Sequence, residues 1–140
     1  MAHMPYRELA HTADTGLEAT ADSFASLISE LATGMFSLMA PLDPTAAERW
    51  IAVRVEAPTV EDLAVDTLSL LLYNSEVEDT IFCSFEVEKE PDTLAIRVRA
   101  GGVPAAGVDL VGPPIKAVTY HKLLIEERGN GWYGRVYFDV

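Results

Sequence analysis

The apolar residues of this chain recur with two different periods. In the stretch DSFASLISELATGMFSLMAP, residues Phe24, Leu27, Ile28, Leu31, Met35, Leu38 and Met39 fall at helical spacing, which gathers side chains onto one face of a helix. Asp22 or Ser23 can cap its start by accepting a hydrogen bond from an otherwise unpaired backbone N–H. Pro41 is expected to stop it. A second helix is expected over TVEDLAVDTLSLLLYNSEVED, which opens on Thr59 and Asp62, spaced as in a capping box with Asp in place of Glu. Leu63, Leu68, Leu70, Leu71 and Leu72 give this helix an apolar face wide enough to be covered on more than one side.

Elsewhere the period is two. WIAVRVEA alternates Ile51, Val53 and Val55 with Arg54 and Glu56, as a half-buried strand does. TIFCSFEVE and TLAIRVRA flank KEPDT, where Pro91-Asp92 signals a turn, so a hairpin is expected. Strict alternation puts Cys83 on one face with Ile81, Phe85 and Val87, as a buried structural thiol. AVTYHKLLIEE and GWYGRVYFDV flank RGNG, and Asn130-Gly131 signals a second hairpin. GLEATA reads as a short early strand preceded by YREL. The stretch from Gly101 to about Pro114, GGVPAAGVDLVGPP, is expected to be irregular because of its glycines and prolines. The order is strands, helix, strand, helix, then four strands. That is an α+β domain, with two helices packed on a largely antiparallel or mixed β-sheet.

Length and charge narrow the possibilities. A chain of 140 residues suits one domain. Its opening MAHM resembles a cloning remnant, so residues 1–4 are set apart, His3 with them, and 5–140 are taken as the domain. No apolar run approaches the roughly 20 residues that span a bilayer, and no secretory leader is visible. The net charge of -12, from 22 acidic and 10 basic residues, argues against a protein that grips RNA or DNA by itself. It suits a basic protein partner, cation binding, or solubility alone. The single cysteine, Cys83, excludes an intrachain disulfide framework and a thiolate-rich zinc site, and fits a reducing cytoplasm.

The candidate chemistry lies at the two ends of the chain. In AHTADTGLEA, His11 and Asp14 precede Gly16, and Asp14 reads either as turn chemistry or as half of a site. The chain closes on YFDV, where the Asp139 carboxylate stands beside the terminal carboxylate of Val140. If the last strand is ordered to its end, with Val136 and Phe138 anchoring one face, two anions sit together at a sheet edge and a cation would relieve their repulsion. With Asp14 beside them the set is hard and oxygen-rich, suited to Ca²⁺, Mg²⁺ or Mn²⁺ rather than zinc. His11 and His121 are possible acid–base groups. His121 is placed on the strand face opposite Tyr120 and Lys122. Neither histidine shows the spacing of a triad, and the chain has no GxSxG, P-loop or GxGxxG.

Taken in order, HTADTGLEA, KAVTYHKLLIEE and RVYFDV resemble the archease family, over essentially the whole chain from Tyr6 to Val140. The resemblance implies an archease-like fold. It also implies a cytoplasmic accessory protein, not itself an enzyme, of the GTP- and Mn²⁺-dependent RtcB-type RNA-splicing ligase. That ligase joins RNA ends in tRNA splicing and RNA repair, and the accessory protein promotes its guanylylation and multiple turnover. The family's metal site maps onto Asp14, Asp139 and Val140, with Ca²⁺ as the expected ion and Mg²⁺ or Mn²⁺ as alternatives. His11, Lys116 and His121 fall in the matching motifs as site-adjacent or partner-contacting residues, with no assigned catalytic role. Thr15 replaces the aliphatic residue that usually follows HTAD. The segment GVDLVGPPI before KAVTYH lacks the family's Asp-Arg-His cluster, keeping Asp109 as its acid. Two other readings stand beside this one. The first is a chaperone-like binding module for a tRNA-modifying enzyme such as a methyltransferase. The second is a small metal-dependent hydrolase using His11, Asp14 and His121.

Overall fold

The computed structural model describes residues 5–9 and 15–140. The strands are β1 (Tyr6–Leu9), β2 (Thr15–Ala21), β3 (Arg49–Glu56), β4 (Thr80–Lys89), β5 (Ala95–Pro104), β6 (Ala117–Arg128) and β7 (Gly131–Asp139). The helices are α1 (Phe24–Ser37) and α2 (Val60–Val77). The α+β class holds, with the strands divided between two antiparallel sheets of order β1-β2-β7-β6 and β3-β5-β4. Both helices touch both sheets. α1 packs on β1, β2 and β7 of the first and on β4 of the second; α2 packs on β6 of the first, on β3 and β4 of the second, and on α1.

The core therefore lies between the sheets, around the helices. Leu27, Ile28, Leu31 and Met35 of α1 are fully buried, as are Leu17, Val136 and Phe138 of the first sheet. Phe82, Ile96, Val98 and Ala100 close it from the second sheet. Phe36 binds the layers together, with its ring edge-on to Phe82 at 5.6 Å and stacked on Phe85 at 5.7 Å. Each such side chain contributes about 1.5–3 kcal/mol by leaving water. The broad apolar face of α2 has the same explanation: Leu63, Leu68 and Leu71 are buried, and Leu70 and Leu72 pack at the margin of the core.

Local chemistry sets the boundaries. Ser23 caps α1, its Oγ accepting the Ser26 N–H at 3.1 Å. The chain leaves α1 ahead of Pro41, because the Met39 and Ala40 N–H groups both turn onto the Phe36 carbonyl. Thr59 caps α2 by accepting the Asp62 N–H at 3.0 Å, and its hydroxyl donates to Asp62 Oδ2. The β6–β7 hairpin forms, but its turn is one residue earlier than Asn130-Gly131. Gly129, at φ 58°, is the first central residue, where a type II′ turn places its glycine.

Three expectations are corrected. Cys83 does not share a face with Phe85 and Val87. A bulge between Phe82 and Ser84 leaves Cys83 as the extra residue and brings Phe82 and Phe85 into ring contact; Cys83 is still buried, as expected. Gly101 and Gly102 belong to β5, and the irregular stretch starts only after Pro104. The indole of Trp50 and the carbonyl of Ile81 occupy the space that side chains would take there. Finally, β7 is not at a sheet edge. It lies between β2 and β6, with Phe138 paired to Thr15 and Asp139 to Ala117.

Candidate functional site

The end of an interior strand is held from both sides. Val136 and Phe138 are fully buried on the face that packs on α1, so alternation turns Tyr137 and Asp139 to the opposite, outer face of the sheet. The Asp139 carbonyl accepts the Lys116 N–H at 2.7 Å, and that bond fixes the last residue of the strand. Val140 follows, partly exposed, and lines a hollow with Glu8, Thr15, Leu38, Val111 and Ile115. The C-terminus thus sits beside the start of β2, and Thr15 is the residue that follows Asp14 in sequence.

The sequence-derived site residues are only partly within view. Asp14 and His11 lie outside the described residues. Asp139 and Val140 stand next to each other at the end of β7, both exposed, and among the described residues no side-chain hydrogen bond or ion pair engages the Asp139 carboxylate. Among the described residues no three His, Cys, Asp or Glu side chains converge as a metal cluster. Lys116 is tied to Asp139 through its backbone. Its side chain lines a groove with Ser69, Leu72, Tyr73 and Glu76 of α2. Of the hydrolase trio, only His121 is among the described residues.

His121 is not on a regular strand. The β6–β7 register jumps from Thr119↔Tyr137 to Leu124↔Arg135, setting Tyr120, His121, Lys122 and Leu123 against Val136 alone. Within this bulge Lys122 takes φ 52°, in the left-handed region. The His121 ring rests edge-on to Tyr137 at 5.8 Å, and the His121 backbone N–H donates to Thr119 Oγ1 at 3.3 Å. The Lys122 ammonium lies 6.0 Å from the centre of the Tyr137 ring. Tyr120 swings to the other side, where its hydroxyl donates to Asp62 Oδ1 at 2.7 Å. That hydrogen bond, and beyond it desolvation and the charges of Asp62 and Asp66, push the Tyr120 phenol up to about 12.

Neither Tyr137 nor the Tyr120–Asp62 pair is visible in the sequence. A left-handed lysine carries no signature, and Asp62 and Tyr120 are 58 residues apart. Only the density of polar residues in TYHK, at a place where alternation should continue, hints at a break.

Comparison with known proteins extends over the whole of this frame. The archease protein family (MTH1598/TM1083) matches residues 6–140. Protein archease of Methanosarcina mazei is 32% identical, over 96% of this chain and 95% of its own length. Protein archease of Methanopyrus kandleri is 29% identical, over 98% and 100%. The solution structure of Methanobacterium thermoautotrophicum protein 1598 superposes with a TM-score of 0.76 at 23% identity, covering 99% of this chain and all of that one. The crystal structure of an archease and possible chaperone from Thermotoga maritima superposes with a TM-score of 0.68 at 22% identity, with complete coverage of both. At those identities the two structures speak for the fold. The family match and the sequence relatives carry the assignment: this chain belongs to the archease family.

Proposed function

We propose that this protein is a non-catalytic accessory factor of an RtcB-type RNA-splicing ligase, promoting its guanylylation and multiple turnover. We further propose that it holds a divalent cation with Asp14, Asp139 and the terminal carboxylate of Val140. The observation that carries the reading is the position of β7. As an interior strand, β7 is paired to β2 as far as Phe138 and to β6 as far as Asp139, so its last residues are held in a way an edge strand or tail is not. That order supports a site built on Asp139 and Val140. The Thermotoga maritima relative is described as a possible chaperone, which also supports action through a protein partner.

The donor chemistry fits such an ion. Asp139 and the terminal carboxylate are hard oxygen donors at the surface, and Glu8 lines the same hollow as Val140. Oxygen-only sets with flexible geometry favour Ca²⁺, with Mg²⁺ or Mn²⁺ as alternatives. When bound, the ion would neutralise the carboxylates that hold it and present a positive centre at the surface. The chain's own residues do the positioning. The Lys116 N–H fixes the Asp139 backbone, and Val136 and Phe138 bury the inner face of the strand, which packs on α1. The overall charge of -12 favours approach to the basic grooves of an RNA-handling enzyme. No helix among the described residues is long and apolar enough to cross a membrane.

A short extension beyond Val140 tests the terminal ligand. It converts the carboxylate into a neutral amide, so calorimetric Ca²⁺ affinity is expected to fall about tenfold or more, the size of effect that losing one oriented ligand or its support produces. An equal extension at the N-terminus should leave it unchanged. Full affinity in the C-terminally extended protein would remove Val140 from the site.

A further inference from the structure

The outer face of the four-stranded sheet, turned away from the helices, carries four cations, two of which no carboxylate among the described residues pairs. Along β7 it carries Tyr133, Arg135 and Tyr137. Arg135 pairs across with Glu18 of β2, and Glu18 with Arg7 of β1, so the three form one row across the strands. The β6 bulge brings Lys122 to the end of that row, where its carbonyl accepts Arg135 Nε–H at 2.9 Å. In the next row Arg128 lies over the Tyr133 ring at 3.9 Å. Arg7, Lys122, Arg128 and Arg135 are four of the ten Lys and Arg residues in a chain of net charge -12.

The carboxylates on this face do not cancel the centre of the row. Glu18 is taken by Arg7 and by the Tyr133 hydroxyl, which donates to it at 2.7 Å. Glu126 is paired with Arg128, and Asp139 stands at the far end of β7. Among the described residues no carboxylate pairs with Lys122 or Arg135. The outer face of the three-stranded sheet is different. There Arg54 and Arg97 share Glu90, and Arg99 holds Glu86. Lys122 also occupies a left-handed backbone position that few side chains adopt, and a bulge of this kind re-aims a side chain. The fold thus spends backbone conformation on placing a cation that no carboxylate of the described residues uses.

We propose that Arg135 and Lys122, at the β7–β6 end of the row whose other end is the Arg7–Glu18 pair, dock a short acidic segment of a protein partner, laid across the strands. Four strands at roughly 4.8 Å spacing span about 14 Å, the reach of about four extended residues. An acidic peptide fits better than RNA for two reasons. Tyr133 and Tyr137 are only 8% and 7% exposed, so their rings are not available for stacking as they are in sheets that bind single strands. The chain's overall net charge of -12 also disfavours a long polyanion such as RNA. This surface is independent of the ligase and metal reading, and its failure would leave that reading intact.

The test uses the intact protein and a fluorescein-labelled octaglutamate, followed by anisotropy, with a labelled uridine octanucleotide in parallel. Saturable octaglutamate binding is expected, weakening about threefold or more as salt rises from about 50 to 200 mM. Lys122→Asn removes the charge but suits the left-handed backbone, and Arg135→Glu reverses the central charge. Each should weaken binding about tenfold, whereas Arg97→Glu on the other sheet should not. Circular dichroism of each variant confirms the fold. Absence of saturable binding, undiminished binding by both row variants, or tighter binding of the octanucleotide would overturn the proposal.

Discussion

A Cβ placed on Gly102 would lie 2.3 Å from the Ile81 carbonyl oxygen, and a backbone oxygen within a sheet cannot swing aside as the tip of a long side chain can. Gly102→Ala should therefore cost about 1–3 kcal/mol, read as a lower urea midpoint. Gly107→Ala meets nothing within 4 Å and should stay within about 0.5 kcal/mol of the parent protein. Equal midpoints for the two variants would refute the packing account. The same glycine shows why single residues mislead a reading of sequence. Gly101-Gly102 looks like the start of a loop, because glycine breaks regular structure more often than it serves close packing. Here Trp50 and Ile81 supply the mass that a side chain would have added, and they come from other strands. Cys83 misleads in a milder way. Its burial was legible from its apolar neighbours, but its face was not, because one bulge residue inverts the alternation.

At the scale of elements, β6 carries the most information that sequence could not supply. Its hairpin partner, turn region and approximate length were all legible in the alternation of AVTYHKLLIEE and in RGNG. The four-residue excursion was not, because what stabilises it is distant in the chain: Arg135 on the Lys122 carbonyl, Tyr137 under His121, and Asp62 on Tyr120. The last contact has a titratable consequence. Hydrogen bonding to Asp62 raises the Tyr120 phenol from 10.0 to about 12. A group raised in the folded state contributes stability that is complete below its unfolded value, here near pH 10, and that is lost as pH rises toward 12. Phenolate absorbance, taken as the difference from a Tyr120→Phe variant, should show this titration. In an Asp62→Asn protein it should move back toward 10. A Tyr120 phenol that titrates near 10 in the parent protein would mean that the bond to Asp62 does not hold in solution. The helices were more legible, since their signals are local. Ser23 and Thr59 cap where the pattern places them, and both helices contact both sheets because their apolar faces are broad.

At the scale of the molecule, the candidate site depends on which strands are neighbours. Sequence put acidic groups at both ends of the chain, but only the sheet order β1-β2-β7-β6 brings the C-terminus beside Thr15. Strand order depends on contacts far apart in sequence, so the pattern of a single strand does not reveal it. The same order makes β7 interior and gives the outer face its row of cations, so one sheet carries both the proposed metal ligands and the proposed docking row. The charge is divided accordingly, with a cationic row on a protein that is acidic overall.

We propose that the acidic site around Asp139 and Val140 activates an RtcB-type ligase. The most direct measurement is RNA ligation by the cognate ligase with GTP, Mn²⁺ and excess substrate, comparing no addition, this protein and its Asp14→Ala variant. Stimulation of multiple turnover by the parent protein, reduced about tenfold or more in the variant, is the predicted result. No stimulation, or equal stimulation by both proteins, would contradict it.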